Sequence, residues 1–167
     1  MRIITGEYRG RKLKTPKGDT IRPTSDKVKE SIFNLLMNET YDKIFCDLFS
    51  GTGSLGLEAL SRGAKRCYFC DISRESIAIV KDNVAHCNAG DRSIIMHGDF
   101  VRSLSKIVEK VDVFLLDPPY RAGLYEKCLE LIERLDLLTL NGIILAEHAS
   151  HDKVPDRVGG IAKVREK

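Results

Sequence analysis

The chain has 167 residues, of which 43% are hydrophobic and 31% are charged, and its formal net charge is +3. This length suffices for one domain with a full hydrophobic core. No apolar run approaches the roughly 20 residues of a membrane-spanning helix, and Met1–Gly6 lacks the apolar core of a signal peptide. We therefore expect a globular cytoplasmic protein with no membrane partner.

The opening of the chain is basic. Residues 1–30 contain nine lysines and arginines against four acidic residues, a surplus of five, so the remainder carries about −2. Such a segment suits contacts with a phosphate backbone, although a solvated arm explains the charge equally well. Gly6 and Gly10 predict a hairpin between short strands at 2–5 and 11–15. A helix from residues 24–26 to about 38 would follow, with a buried face of Val28, Ile32, Leu35 and Leu36. We expect 1–40 to be an extension packed on a core of 41–167.

From residue 43 the pattern alternates between strands and helices. Residues 111–116 include five apolar residues in six, which indicates a strand buried on both faces. The predicted strands are Ile44–Phe49, Cys67–Asp71, Ile94–Met96, Val111–Leu116 and Gly142–Glu147. Helices are predicted between these strands, at Leu55–Arg62 and where apolar residues recur at helical spacing: Ile77, Val80 and Val84 after a Ser73 cap; Val101, Leu104 and Val108; Leu124, Cys128, Leu131 and Leu135. This alternation predicts an α/β fold with a doubly wound, mostly parallel sheet.

The loop after the first strand has two interpretations. Gly51, Gly53 and Gly56 fit the dinucleotide pattern G-x-G-x-x-G, and Asp71 follows 20 residues after Gly51. In both interpretations the glycines let a ligand approach the backbone, and Asp71 accepts ribose hydroxyls. Asp47 would repel a pyrophosphate and attract a cationic ligand. It therefore favours S-adenosylmethionine, unless it only caps its own turn.

Two further strand ends carry acidic side chains. Asp99 would accept the amino group of adenine, with Phe100 or Ile72 against the ring; a helix cap and core packing are the alternatives for Asp99 and Phe100. The segment Asp117–Tyr120 is Asp-Pro-Pro-Tyr, and neither proline can donate to a sheet ladder. The backbone therefore leaves the sheet at its carboxyl edge, where such sheets bind ligands. A carboxylate, carbonyls and a flat ring suit a planar base with an amino group, so we expect a base-modifying enzyme.

The five cysteines and four histidines predict no metal site. Cys67 and Cys70 have the spacing of a zinc or redox pair, but no second pair completes it, and strand alternation places them on opposite faces. We expect buried thiols instead.

These segments resemble a known family. Asp47–Gly53, Cys70–Ile72, His97–Phe100 and Asp117–Tyr120 are similar to class I S-adenosylmethionine-dependent methyltransferases that act on amino groups. The opening, Arg2–Leu13 and Ile21–Leu36, resembles the bacterial RsmD family, which methylates guanine N2 in small-subunit (16S) ribosomal RNA. The resemblance extends from residue 2 to about residue 150.

The resemblance implies a Rossmann-like fold and assigns roles to individual residues. It implies S-adenosylmethionine as cofactor, S-adenosylhomocysteine as its product, and no metal. The implied cofactor residues are Asp47, Gly51 and Gly53, with Ser50 in the same loop, for the methionine end, Asp71 for the ribose, and Asp99 and Phe100, with Ile72, for adenine. Asp117, the Pro118 carbonyl and Tyr120 would hold the target base, and Arg9, Arg11, Lys12 and Arg22 would contact RNA.

The expected function is methyl transfer to guanine N2, by a monomer acting on ribosomal RNA or the small ribosomal subunit. Asp-Pro-Pro-Tyr also occurs in DNA adenine-N6 methyltransferases, which provide one alternative. A nicotinamide-dependent oxidoreductase and a non-catalytic RNA-binding module are alternatives from other classes. Family members usually continue into an antiparallel strand pair that completes a seven-stranded sheet, whereas here only Ile161–Val164 is left to begin one. We expect a shortened C-terminus and an exposed sheet edge.

Overall fold

The computed structural model describes residues 1–18, 24–119 and 123–166. In these ranges the helices are α1 (Asp26–Leu35), α2 (Ser54–Ser61), α3 (Arg74–His86), α4 (Phe100–Ser105) and α5 (Leu124–Arg134). The strands are β1 (Ile44–Asp47), β2 (Arg66–Asp71), β3 (Ser93–His97), β4 (Val111–Leu116), β5 (Leu138–Ala146), β6 (Arg157–Val158) and β7 (Ile161–Ala162). No helix in these ranges is long and apolar enough to cross a membrane.

The central sheet has five strands in the order β3-β2-β1-β4-β5, and all neighbouring strands are parallel. The predicted α/β fold and its doubly wound parallel sheet are therefore confirmed. The order of connection reverses between β1 and β4, and in open α/β sheets ligands bind beyond the carboxyl ends of the strands at such a point. The acidic strand ends predicted from the sequence lie at this edge.

Helices cover both faces of the sheet because alternate strand residues point to opposite sides. Phe45 of β1 belongs to a core formed with the N-terminal segment and α1, α2 and α3. Cys46 belongs to the opposite core, with α4 and α5. Cys67 and Cys70 also divide between these two cores, as the alternation predicts. The cysteines are free and buried, and no group of three or more metal-ligating side chains occurs among the described residues.

The N-terminal segment is built into the first of these cores. Ile3, Tyr8 and Leu13 are buried there. A single antiparallel bridge joins Arg2 to Lys12, so the hairpin has less strand structure than predicted. Glu58 of α2 accepts hydrogen bonds from the amides of Ile4 and Thr5, at 2.8 and 3.2 Å. These bonds to α2 supplement the backbone bonds between the two arms of the hairpin, from the Ile3 amide to the Arg11 carbonyl at 3.0 Å and from the Leu13 amide to the Met1 carbonyl at 2.9 Å. The division of the chain near residue 40 stays a prediction.

The buried face of α1 differs from the predicted one. Val28 and Leu35 are exposed, whereas Ile32 and Leu36 are buried as predicted, together with Lys29 and Phe33. Lys29 is buried because its ammonium donates to the Arg2 carbonyl and lies 3.5 Å from Glu58 Oε1. A charged residue with buried partners has therefore displaced an apolar one from the core. The helix also ends at Leu35 rather than near residue 38.

Two elements nearer the C-terminus also depart from their predicted form. Of the predicted apolar face of α4, only Leu104 is buried. Val101 is exposed within the helix, and Val108 is 94% exposed beyond its end at Ser105. Strand β5 begins at Leu138 rather than Gly142, because a register shift lets Leu138 pair with Val111. A Cβ atom at Gly142 would lie 2.5 Å from the Leu138 side chain, so a larger residue there would displace that side chain.

The segment that follows β5 forms a separate unit. Strands β6 and β7 pair antiparallel in their own two-stranded sheet. The Gly160 amide donates to Glu133 Oε1 of α5 at 2.9 Å, which attaches this hairpin to the helix. Ile161–Ala162 is thus a strand, but it does not extend the central sheet. Within the described residues β5 is paired on one side only.

Candidate active site

Four acidic side chains lie on one side of the sheet at its carboxyl edge. Asp47 pairs in register with Phe69 and Leu115, and Asp71 and Asp117 lie two residues further along those strands, hence on the same face. Glu147 follows Ala146, whose register partner is Leu116, so it neighbours Asp117. We call these four residues the acidic row: Asp47, Asp71, Asp117 and Glu147.

Asp47 is the most deeply buried member of the acidic row, at 2% exposure. Its Oδ2 accepts a hydrogen bond from the Gly56 amide at 3.2 Å. Burial raises the pKa of Asp47 to about 7, against the effect of that amide, and the charges of Asp117 and Asp71 raise it further. A cation bound beside this carboxylate would stabilise its ionised form.

Asp71 is held by the glycine loop. Its two oxygens accept hydrogen bonds from the amides of Gly51 and Ser73, each at 2.9 Å. Gly51 has a φ of +56°, and a Cβ atom there would meet no atom within 4 Å, so the loop backbone borders open space. The Ser50 hydroxyl is buried without a hydrogen-bond partner among the described residues. The loop thus offers a ligand an oriented carboxylate and a buried hydroxyl.

The residues predicted to surround adenine lie at the end of β3 and beside it. Asp99 is the N-cap of α4 and accepts the Arg102 amide at 2.8 Å through Oδ1, so the capping alternative is present in the structure. Contact with adenine therefore depends on its second oxygen. Phe100 is half-buried, with its ring centroid 6.4 Å from that of Phe49, and Ile72 is exposed. These three assignments stay predictions.

Asp117 and Pro118 lie directly beyond β4. Pro118 is buried and Asp117 is half-buried. Burial raises the pKa of Asp117 to about 6, and the charge of Glu147 adds to this effect. Tyr120, predicted to stack on the base, lies outside the described residues, as does Arg22.

Glu147 was not among the predicted site residues. Its amide donates to the Leu116 carbonyl at 2.9 Å, and its own carbonyl accepts the Tyr125 hydroxyl. Its Oε2 is buried and has no hydrogen-bond partner in the described part of the chain. The sequence did hold a signal, because Glu147 ends a predicted strand just as Asp71 does.

The predicted RNA-contacting residues differ in their exposure and in the contacts they make within the protein. Arg9 and Lys12 are exposed. Arg11 lies over the Tyr8 ring at 5.3 Å and donates to the His86 carbonyl at 3.4 Å, so it also has a structural role. Other basic residues of the opening segment pair within the protein: Arg2 with Asp26, Lys14 with Asp82, and Lys29 with Glu58. Less of the surplus charge is therefore available to a partner than the sequence suggested.

The fold and the site together define the class of protein. A parallel sheet with this strand order, a glycine loop before α2 and acidic residues at successive strand ends make the chain a class I methyltransferase. Enzymes of this class take their methyl group from S-adenosylmethionine.

Comparison with known proteins gives the family. The family model "Conserved hypothetical protein 95" matches residues 1–167. "Putative rRNA methyltransferase YlbH" of Bacillus subtilis is 38% identical over 168 residues, covering 99% of this chain and 91% of that protein. "Ribosomal RNA small subunit methyltransferase D" of Escherichia coli is 34% identical over 155 residues, covering 93% and 78%. A solved structure, "Putative methyltransferase yhhF" of Escherichia coli, superposes with a TM-score of 0.82 at 32% identity, covering 93% and 86%. The chain belongs to this family, the RsmD-type methyltransferases, and the predicted resemblance is confirmed.

Proposed function

We propose that this enzyme transfers a methyl group from S-adenosylmethionine to the exocyclic N2 amine of a guanine in small-subunit ribosomal RNA. The names of its relatives support ribosomal RNA as the substrate. One observation in the site carries the proposal: the buried carboxylate of Asp47 and the half-buried carboxylate of Asp117 lie on the same side of adjacent strands, close enough for one to raise the pKa of the other. Asp47 suits a cationic methyl donor, and Asp117 suits an amine.

The residues present fit the cofactor. Asp47 accepts one backbone amide and has capacity for a cationic group, Ser50 has an unpartnered hydroxyl, and the space beside Gly51 is open. We assign these residues and Gly53 to the methionine end, Asp71 to the ribose hydroxyls, and Asp99, Phe100 and Ile72 to adenine. When bound, S-adenosylmethionine supplies a methyl group on a positively charged sulfur. The same charge argument disfavours a nicotinamide dinucleotide, whose pyrophosphate would face Asp47.

The target amine needs activation because its lone pair is delocalised into the guanine ring. The Asp117 carboxylate and the Pro118 carbonyl accept its two hydrogens and orient the lone pair away from the ring plane. The carboxylate also stabilises the positive charge that develops on N2 as the new bond forms, an effect that burial strengthens. With a pKa raised to about 6, Asp117 can take the proton that N2 then releases. Tyr120 is proposed to stack on the extruded base.

The exposed basic residues Arg9 and Lys12 are proposed to contact the RNA backbone, with Arg11 and Arg22 in the same role. Arg11 does so while packed on Tyr8. The proposal includes a monomeric enzyme that acts in the cytoplasm and needs no metal.

The test is identification of the modified nucleoside. The protein is incubated with isotopically labelled S-adenosylmethionine and, separately, with small-subunit ribosomal RNA, assembled small subunits and duplex DNA, and the digests are analysed by mass spectrometry. N2-methylguanosine from either ribosomal substrate is expected, and Asp117→Ala should remove it. N6-methyladenine in the DNA digest would instead support the DNA alternative. Calorimetry should detect binding of S-adenosylhomocysteine but not NAD, and binding of neither would leave only an RNA-binding module.

A further inference from the structure

We infer that Glu147 determines the specificity for guanine by accepting the hydrogen on ring nitrogen N1 of the target base. This inference rests on the proposed function and adds a residue to the site. Glu147 would contact a different atom of the base from Asp117. Its role would be to select the base rather than to activate the amine.

The position of Glu147 follows from the strand pairing. Leu116 and Ala146 are register partners in the parallel pair β4–β5, and the Glu147 amide donates to the Leu116 carbonyl at 2.9 Å. Side chains in register on parallel neighbours point to the same side, so Glu147 and Asp117 face one site from adjacent strands about 4.8 Å apart. The Tyr125 hydroxyl donates to the Glu147 carbonyl and fixes its backbone.

The state of the Glu147 side chain indicates that it serves a ligand. Its Oε2 is buried and has no hydrogen-bond partner in residues 1–18, 24–119 and 123–166. An unsatisfied buried acceptor costs free energy, and a proton donor on a bound ligand would remove that cost. The charge of Glu147 also contributes to the raised pKa of Asp117, so the two carboxylates are close. Two neighbouring acceptors of this kind match a ligand that presents two neighbouring donors.

Guanine presents such donors on its Watson–Crick edge, the N1 hydrogen and the N2 amine side by side. Flipped bases are recognised through this edge. Adenine carries a lone pair at N1, which would face the Glu147 carboxylate without a hydrogen between them. A site built around a hydrogen bond discriminates strongly against a ligand that lacks it, because its own polar group is left unpaired. Asp117 and the Pro118 carbonyl then hold the amine while Glu147 holds N1.

The experiment uses 2-aminopurine, which keeps the amine at C2 but has a lone pair and no hydrogen at N1. Once the methylated position is mapped, synthetic RNAs carry either guanine or 2-aminopurine there, and kcat/KM is measured for wild type and Glu147→Gln. Wild type should prefer guanine by about 100-fold or more. The glutamine side chain can donate its amide to N1 of 2-aminopurine, and its carbonyl can still accept the N1 hydrogen of guanine, so it accommodates both bases. Glu147→Gln should therefore raise transfer to 2-aminopurine relative to guanine and narrow the preference for guanine by about tenfold or more.

Two further variants serve as controls. Glu130→Gln, an equivalent change at an exposed position on α5, should leave the preference unchanged. Glu147→Asp retains the acceptor and should keep the preference even if its rate falls. Binding of S-adenosylhomocysteine verifies that each variant is folded. An unchanged preference in folded Glu147→Gln, or its loss in Glu147→Asp, would overturn the inference alone. If wild type methylates no guanine in any RNA, the proposed function itself fails.

Discussion

Acidic side chains have different partners at the two ends of the central sheet. At the amino end, Glu109 accepts hydrogen bonds from Arg66 Nη1 at 2.6 and 2.7 Å and from the Tyr68 hydroxyl at 2.6 Å. Asp112 accepts the Ile44 amide at 2.8 Å. These carboxylates are satisfied by partners within the protein, including a guanidinium. Asp112 joins the neighbouring strands β4 and β1, and Glu109 connects the start of β4 to β2 across β1.

At the carboxyl end, the acidic row lacks such partners. Within the described residues no lysine or arginine forms a salt bridge with any of its four members. Backbone amides hold Asp47 and Asp71, and burial raises the pKa of Asp47 to about 7 and that of Asp117 to about 6. Acids in this state are typical of functional sites, because the missing counter-charge comes from a ligand. The sheet thus uses acids for stability at its amino end, and we propose that it uses them for binding at its carboxyl end.

The largest expected effect comes from Asp117→Ala, compared with Asp112→Asn at the opposite end of β4. Removing the Asp117 carboxylate should lower methyl transfer by about 10³-fold or more, because its interaction with N2 strengthens in the transition state. Affinity for S-adenosylhomocysteine should remain largely intact. Asp112→Asn keeps an acceptor for the Ile44 amide and should retain activity. Single-turnover transfer and calorimetry measure both quantities, and wild-type rates in Asp117→Ala would contradict the mechanism.

Asp47→Asn is expected to weaken binding of the methyl donor by about 10- to 100-fold, since it removes a charged acceptor from a cationic ligand. For wild type, donor affinity should rise with pH as Asp47 ionises around its raised pKa of about 7. The variant should lose this dependence. Titration calorimetry between pH 5.5 and about 8.5 spans this range. Equal donor affinity in both proteins at the upper pH would show that Asp47 does not face the cation.

The stability of the ligand-free protein tests the same contrast. Asp47 has a higher pKa in the folded state than in the unfolded state. Between about pH 4 and about pH 7 the folded protein therefore binds more protons than the unfolded chain, and the free energy of unfolding falls as the pH rises through this window. The upper bound of this loss is about 4 kcal/mol, and Asp47→Asn should remove it. Glu109→Gln should instead lower stability by about 1–2 kcal/mol, by weakening its bond with Arg66. Denaturant unfolding at two pH values measures the free energy of unfolding of each variant. If both variants responded to pH in the same way, the proposed difference between the two ends of the sheet would be wrong.

The smallest effect is expected on RNA affinity. Replacing the exposed pair Arg9 and Lys12 by glutamine should weaken RNA binding by about tenfold at moderate salt and reduce the salt dependence by about two phosphate contacts. Lys106 and Lys110, near the amino end of the sheet, provide a control with the same change of charge. Binding titrations at several salt concentrations give the slopes. An identical loss in the control would mean that net charge, rather than the N-terminal segment, drives association.

Residues whose partners come from distant parts of the chain account for the failures of sequence reasoning. Lys29 was counted in the basic surplus of residues 1–30, but Glu58 of α2 and the Arg2 carbonyl bury it and rotate the face of α1. Arg11 donates to the His86 carbonyl, 75 residues away, a structural role that its charge alone did not indicate, while its contact with RNA stays a prediction. Glu147 was overlooked because an acidic residue after a strand is common, and only its register beside Asp117 gives it meaning. By contrast, the order of strands and helices was predicted well, because apolar periodicity is a local property.

The sequence by itself determined the alternation of strands and helices, the glycine loop and the acidic residue after each of several strands, since hydrophobic period and backbone chemistry are written in neighbouring residues. Only the tertiary structure decided which acids share one side of the sheet and which of them lack a partner. Those properties depend on burial and on groups far apart in the chain, such as Asp47 beside Asp117. The low-dielectric surroundings that separate a binding carboxylate from a stabilising one arise only when the sheet and its helices pack together.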